Sequence, residues 1–93
     1  MNLTTKGKYA VTAALDLAMQ QTIADGFTKI SDVAKRQDIP AAYLEQIFSR
    51  LRKAGILHAA RGPNGGFKLS KQRDKVMIGE IISAVERNMD ATQ

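Results

Sequence analysis

The chain has 93 residues, of which 44% are hydrophobic and 25% are charged, and its net charge is +5. This length suits a single domain, which we place at residues 1–93, and it leaves no room for a multidomain enzyme. The absence of cysteine excludes disulfides, a thiolate nucleophile and a cysteine-ligated metal or iron–sulfur site within these residues.

The sequence also gives no support for a histidine metal site, a catalytic site, a membrane span or a secretory signal. The single histidine, His58, cannot form a His-rich metal site and has no identifiable Ser or acid partner for catalysis. No stretch reaches the roughly 18 apolar residues of a membrane span, and Met1–Tyr9 lacks the apolar core of a secretory signal. We therefore expect a cytoplasmic protein with no enzyme activity.

The apolar spacing predicts a first amphipathic helix from Lys6 to Gln21, with Thr4 or Thr5 as its N-cap. The residues expected to face the core are Val11, Ala14, Leu15, Ala18 and Met19. Asp25 and its neighbours then break the helix.

Two further helices follow in close succession. The second is predicted at Lys29–Gln37, capped by Thr28, and the third at Pro40–Ala54, with Gly55 just past its end. Two helices joined by about three residues, with Ile39 between them, are typical of a helix-turn-helix. The core positions are Ile30, Val33 and Ala34 in the second helix and Leu44, Ile47, Phe48 and Leu51 in the third.

The remaining chain predicts a hairpin and a last helix. Strands at Ile56–Ala60 and Phe67–Leu69 flank an exposed loop, Arg61–Gly66, whose glycines and proline favour a turn. An extended stretch, Val76–Ile78, leads to a helix at Gly79–Arg87, whose expected core residues are Ile81, Ile82 and Val85. The fold class is therefore mainly α with a small β-hairpin, a winged helix-turn-helix.

The positive charge is concentrated in the part of the chain predicted to form the helix-turn-helix and the hairpin. Residues 29–75 carry eleven basic and four acidic side chains, whereas residues 1–28 are neutral in sum and residues 76–93 sum to −2. A basic cluster of this kind favours a polyanionic partner.

The third helix is the candidate for reading DNA. Its side opposite the core stripe carries hydrogen-bonding groups, and the small Ala41 and Ala42 would let the backbone approach bases closely. Glu45 can accept from a cytosine amino group and Gln46 can pair with adenine. Glu45 fits equally well as a solvated helix residue balanced by its neighbours.

The remaining polar and basic residues of this helix, Ser49, Arg50, Arg52 and Lys53, are expected to meet phosphate, or else to form a solvated basic helix end. Arg61 at the root of the hairpin loop could enter a narrow A·T minor groove, with Gly62 allowing close approach and Lys68 contacting phosphate. Alternatively, the loop glycines serve only turn geometry.

A phosphate contact is also expected at the start of the first helix. Lys6 and Lys8 oppose the helix dipole there, and a bound phosphate next to Thr4 would remove that conflict. Two ordinary solvated lysines are the alternative. Tyr43 either packs at the edge of the core stripe or donates its hydroxyl to a phosphate.

Three separated segments carry a resemblance to a known family: Leu3–Ala10, Tyr43–Gly55 and Arg61–Phe67, with Gly79–Val85 extending it. The chain is similar to the DNA-binding part of the IscR-like winged-helix transcription regulators, which control iron–sulfur cluster biogenesis. The resemblance implies a homodimer on double-stranded DNA, with the Pro40–Ala54 helix in the major groove. It implies that Glu45 reads bases and that Arg61 lies in the minor groove.

The family also has features that these 93 residues lack: a long C-terminal dimerisation helix, and three cysteines with a further ligand that bind a two-iron, two-sulfur cluster. We therefore expect no cofactor in this chain, and a cluster is implied only if the chain continues past Gln93. A DNA-binding fragment of a longer sensor is favoured over a short member without a cluster. Dimerisation is expected of the full-length protein and stays open for this chain.

A second class of function is a winged helix that binds another protein, with its basic charge merely solvated. Salt dependence separates the two classes, because contacts to several phosphates weaken steeply as salt rises.

Overall fold

The computed structural model describes residues 4–24, 26–70 and 78–90. Their elements, in chain order, are α1 (Thr5–Ile23), α2 (Ile30–Gln37), α3 (Ala41–Lys53), β1 (Leu57–Ala60), β2 (Gly66–Leu69) and α4 (Ile78–Asp90). This order confirms the mainly helical winged helix-turn-helix. The expected break at Asp25 and most of the expected extended stretch, Val76–Met77, lie outside the described residues.

The helix α1 begins where the sequence indicates but buries a different side. Thr4 is the N-cap, and its side-chain oxygen accepts a hydrogen bond from the Gly7 backbone N–H at 3.0 Å. The core-facing prediction was wrong for Leu15 and Met19, which are 54% and 63% exposed. The buried side consists of small residues, one leucine and one aspartate, namely Gly7, Ala10, Ala13, Ala14, Leu17 and Asp16. Because α2, α3, α4 and β2 all pack against α1, most of the side chains between the backbones are small.

Thr28 does not cap α2, contrary to prediction. Its backbone N–H donates to the Phe67 carbonyl at 2.8 Å, and its carbonyl accepts from the Phe67 N–H at 2.7 Å. The chain before α2 thus lies beside β2 as a single bridge, and Lys29 takes the N-cap position without a side-chain hydrogen bond. Of the predicted core residues, Val33 is fully buried, while Ile30 and Ala34 are partly buried against the core.

The helix-turn-helix is closed by a tight turn. Asp38 takes the left-handed conformation (φ 54°), and Ile39 is buried between the two helices as predicted. The helix α3 is one residue shorter at each end than expected, because Pro40 and Ala54 are its caps. Its four predicted core residues, Leu44, Ile47, Phe48 and Leu51, are completely buried.

The hairpin pairs β1 and β2 in antiparallel register, from Leu57 opposite Leu69 to Ala60 opposite Gly66. Ile56 lies just outside β1, although its carbonyl accepts a hydrogen bond from Ser70 at 2.8 Å. Gly66 has φ +140°, and a Cβ atom there would collide with the Thr28 carbonyl. Glycine is therefore required where the wing meets the chain before α2.

The helix α4 begins at Ile78, so the extended conformation predicted for that residue was wrong. Glu80 lies in the first turn, where a carboxylate interacts favourably with the helix dipole. Ile81 and Val85 are buried in the core as expected, whereas Ile82 is only half-buried.

Candidate nucleic-acid interface

Most of the face of α3 opposite the core stripe is open to solvent. Because the core residues fix the rotation of α3, helical geometry of about 100° per residue turns the other side outward. The exposed residues on this outward side and its edges are Ala41, Ala42, Glu45, Gln46, Arg52 and Lys53, while Ser49 and Arg50 are half-buried. The structure therefore brings the sequence-predicted base readers of α3 together on one accessible surface.

Tyr43 joins the first turn of α3 to the first turns of α1. Its ring meets that of Tyr9 edge to face, with ring centroids 5.1 Å apart and an interplanar angle of 88°. Lys6 Nζ lies 5.8 Å from the Tyr43 ring centroid, within the range of a cation–π interaction. Lys6 and Tyr43, expected separately as phosphate contacts, thus form one cluster next to the first turn of α3.

Thr4 and Lys8, the other two phosphate contacts expected at the start of α1, lie outside the cluster of Lys6 and Tyr43. The Thr4 hydroxyl donates to Glu86 Oε2 at 3.3 Å while it caps the helix, so a phosphate there would have to replace that carboxylate. Lys8 is exposed and, at about 100° per residue, projects about 200° away from Lys6. The two lysines therefore cannot bind the same phosphate, and both Thr4 and Lys8 stay predictions.

The hairpin presents an exposed tip beside α3. Arg61, Gly62, Pro63 and Asn64 are all exposed, and the Gly65 N–H closes the turn on the Gly62 carbonyl at 2.9 Å. The wing is anchored to α3 because the Phe67 ring packs edge-on against Phe48, with the ring centroids 5.0 Å apart. The position of the Arg61 backbone relative to α3 is thereby held by a core contact.

Lys68 lies on the other side of the hairpin from Phe67, since successive strand residues alternate. Its Nζ sits 5.4 Å from the centroid of the Phe27 ring. His58 is opposite Lys68 in the register and is exposed. The expected phosphate contact of Lys68 would therefore be made from the outer face of the wing.

A buried carboxylate behind the interface was not found by sequence reasoning. Asp16 is 3% exposed and accepts from Arg36 Nε at 3.0 Å, Arg36 Nη2 at 2.8 Å and Gln37 Nε2 at 2.9 Å. Burial raises the pKa of Asp16, but the hydrogen bonds and the charge of Arg36 together hold that pKa below its usual value of 3.8. The pair fixes the end of α2, and hence the turn into α3, on α1.

Sequence reasoning also missed a hydrogen bond between α1 and the wing. The Gln21 side-chain oxygen accepts a hydrogen bond from the Leu69 backbone N–H at 2.8 Å. The sequence signal for the contacts of Asp16 and Gln21 is the occurrence of polar residues on the inward side of an alanine-rich helix. Their partners are distant in sequence, so no spacing rule identifies them.

Within residues 4–24, 26–70 and 78–90, no three His, Cys, Asp or Glu side chains are grouped so that they could hold a metal ion. None of the helices in those ranges combines the length and the apolar character needed to cross a bilayer.

Comparisons with known proteins identify the family. The model of the Rrf2 family, described as iron-dependent transcriptional regulators, matches residues 3–93. The chain belongs to the Rrf2 family. It is 47% identical over all 93 residues to the HTH-type transcriptional regulator IscR of Photobacterium profundum and 48% identical to that of Escherichia coli O139:H28, of which it covers 53% and 56%. Its relatives in this family are thus transcription regulators and not enzymes.

Solved structures agree with this assignment. CymR, the global cysteine regulator of B. subtilis, superposes with a TM-score of 0.86 at 34% identity, over 92% of this chain and 65% of that one. IscR of T. potens superposes with a TM-score of 0.81 at 36% identity, over 91% of this chain and 61% of that one. This Rrf2 chain spans about half the length of the curated relatives it matches.

An iron–sulfur cluster does not fit the residues described. The 93 residues contain no cysteine, and the described part of this Rrf2 chain contains no alternative cluster of ligating side chains.

Proposed function

We propose that this Rrf2 chain is a sequence-specific DNA-binding module, with α3 in the major groove and the wing in the adjacent minor groove. The observation that carries the proposal is the division of α3 into a fully buried stripe and an exposed face with polar groups, next to an exposed wing tip. Ala41, Ala42, Glu45 and Gln46 contact base edges, and Arg61 contacts an A·T minor groove.

Basic and polar residues around these readers fix the position on the duplex. Arg50, Arg52 and Lys53 lie toward the end of α3, where the helix leaves the groove, and Lys6 with Tyr43 meets the phosphates next to its first turn. The remaining proposed phosphate contacts are Thr4, Lys8, Ser49, Gly62 and Lys68.

Membership of the Rrf2 family supports a proposal about the domain, its location and the number of copies on the operator. We propose that residues 1–93 form one DNA-binding domain, that it acts in the cytoplasm, and that two copies bind a two-fold symmetric operator in the full-length protein. The family description links these regulators to iron. A response to iron, or control of iron–sulfur genes through a two-iron, two-sulfur cluster, would need ligands outside these 93 residues.

Selection from a random duplex library tests the proposal. The bound pools of the wild-type chain, Arg61→Ala and Glu45→Ala are sequenced and their affinities for the selected site are compared. Wild type is expected to enrich a defined motif. Arg61→Ala should weaken binding by about 1–3 kcal/mol, mostly on sites with an A·T tract, and Glu45→Ala should relax base preference more than it lowers affinity.

A matched control removes a basic side chain outside the proposed contact set. Lys35 lies in the last turn of α2 and is exposed, so Lys35→Ala should leave the selected motif unchanged. An unchanged motif in Glu45→Ala would contradict its base-reading role. If the wild-type chain enriches no motif at all, the proposal fails in favour of a protein-binding module.

A further inference from the structure

The loop between β1 and β2, residues 61–65, carries two hydrogen-bonding side chains. We call these residues the wing tip. Arg61 and Asn64 are both exposed, and the other three residues, two glycines and a proline, have no side-chain donor or acceptor. The proposed function uses Arg61 and leaves Asn64 without a role.

Asn64 lies at the third position of a β-turn. The Gly65 N–H donates to the Gly62 carbonyl at 2.9 Å. Pro63 and Asn64 are therefore the two central residues of the turn. Asp38 is the only non-glycine residue with positive φ in the described ranges, so Asn64 has the negative φ of a type I turn, in which proline is favoured at the second position. The Asn64 side chain thus projects from a backbone that a hydrogen bond closes and a proline ring restrains.

The wing tip is narrow because glycine is favoured on both sides of this central pair. Gly62 has φ +100°, which residues with side chains rarely adopt, and a Cβ atom at Gly65 would collide with the Ala60 carbonyl. The minor groove of DNA is only about 6 Å wide, half the width of the major groove. A tip without side chains at these two positions is suited to enter it and to bring Asn64 to the base edges.

The stem of the hairpin holds the wing tip in place. Phe67 packs against Phe48 of α3, and the Leu69 N–H donates to the Gln21 side chain of α1. A loop that is already ordered loses less conformational entropy when it binds. The stem therefore favours a defined contact of Asn64 with DNA.

The two polar side chains of the wing tip differ in what they can recognise. Arg61 has only donors, and both A·T and G·C pairs present acceptors in the minor groove. The group that distinguishes a G·C pair there is the N2 amino group of guanine, which is a donor. Among the residues of the wing tip, only Asn64 has a side-chain acceptor. Its carbonyl oxygen can accept from the guanine N2 amino group while its NH₂ group donates to guanine N3.

We propose that Asn64 is a specificity-determining residue that reads a G·C pair through the minor groove, beside the A·T tract that Arg61 contacts. This inference rests on the proposed insertion of the wing into the minor groove. Arg61 is attracted by the narrow, strongly negative groove of an A·T tract, whereas Asn64 requires the amino group of guanine. Together they predict a motif in which a G·C pair flanks an A·T tract.

The test removes the recognised group from the protein or from the DNA. Wild type, Asn64→Ala and Pro63→Ala are used in the library selection and then titrated with the selected duplex. Pro63→Ala is the matched control, because it alters the neighbouring residue and keeps the amide. In a second duplex, inosine replaces the guanine that flanks the A·T tract, which deletes the N2 amino group and leaves the major-groove edge unchanged. Circular dichroism verifies that each variant is folded.

Wild type and Pro63→Ala should each bind the inosine duplex about tenfold more weakly than the guanine duplex, since this is the discrimination expected of one bidentate base contact. Asn64→Ala should bind the guanine duplex about tenfold more weakly than wild type does. It should bind both duplexes equally and should lose the preference for G·C at that position of the motif.

Any of three results overturns the role of Asn64. They are a wild-type motif with no G·C pair beside an A·T tract, equal binding of the two duplexes by wild type, and an inosine effect that persists in Asn64→Ala. Each of them leaves the proposed function standing, because wild type still enriches a motif. If wild type enriches no motif, the proposed function fails and the reading by Asn64 fails with it.

Discussion

At the residue scale, the least expected feature is a charged group inside an alanine-rich core. Asp16 is tolerated there because three N–H groups of Arg36 and Gln37 satisfy its two oxygens. Arg36 is 38% exposed, so the attraction between the two charges is weakened by solvent, and the hydrogen-bond geometry carries much of the stabilisation. The pair stabilises the placement of α2 on α1, which orients the helix-turn-helix.

Replacing Asp16 by Asn should therefore destabilise the fold. The new amide group would point a donor at the donors of Arg36 or Gln37, and we expect a loss of about 1–3 kcal/mol in the free energy of unfolding at neutral pH. Urea denaturation measures this difference. Lys35→Ala, on the exposed side of α2, should change the stability little. Equal stabilities of wild type and Asp16→Asn would contradict a stabilising role.

The pH dependence of this pair has a definite sign. Because the folded-state pKa of Asp16 lies below its usual value, its contribution is fully present above about pH 4 and is lost as the pH falls through the folded pKa. The difference between wild type and Asp16→Asn should thus shrink in acid. A difference that is constant between pH 7 and pH 3 would show that the charge of Asp16 contributes nothing.

At the element scale, the wing is built from more than its two strands. The bridge from Thr28 to Phe67 adds a third segment, and the Phe67 ring packs edge-on against Phe48 of α3. A hairpin alone is only marginally stable in water, so these two contacts hold the wing against α3 and the chain before α2. Sequence separation is large for each contact, which is why no local pattern reveals them.

Gly66→Ala should break this arrangement. A Cβ atom at φ +140° would be strained and would collide with the Thr28 carbonyl, so we expect a loss of at least about 2 kcal/mol in the free energy of unfolding. Gly26→Ala is the control, because its Cβ meets nothing within 4 Å and its backbone has no positive φ. Thermal or urea unfolding compares the two. Similar stabilities would mean that the bridge to Thr28 is dispensable.

At the scale of the whole molecule, most of the basic side chains and the residues proposed to contact bases lie in the same part of the chain. The six lysines and arginines among the proposed phosphate contacts are Lys6, Lys8, Arg50, Arg52, Lys53 and Lys68. If all six engage, the logarithm of the binding constant should fall with the logarithm of salt concentration with a slope of about −5. Affinity would then drop about 10³-fold between 50 and 200 mM salt.

Fluorescence anisotropy on the selected duplex measures this slope. Arg52→Ala/Lys53→Ala should make the slope shallower by about two, while Lys35→Ala should leave it unchanged. A flat salt response of the wild-type chain would favour a protein-binding surface with an apolar centre over DNA binding.

Local physics explains why much of this molecule was predictable from sequence. The helix-turn-helix follows from a 3.6-residue apolar period in α2 and α3, from Pro40 and from Gly55 at φ +81°. The exposed face of α3 follows from the same period, because burying Leu44, Ile47, Phe48 and Leu51 turns Glu45 and Gln46 outward. The candidate base readers could therefore be named before any coordinates.

The sequence by itself thus determined the element order, the buried stripe of α3 and the surface that faces outward from it, since each depends on spacing within one segment. Only the tertiary structure decided which side of α1 is buried. The period placed Leu15 and Met19 inside, but four neighbouring elements pack against the side of α1 that carries Ala10, Ala13, Ala14 and Leu17, so Leu15 and Met19 remain at the surface. The tertiary structure alone also decided the partners of Asp16 and the pairing of Thr28 with Phe67, because those contacts join residues 20 to 39 positions apart.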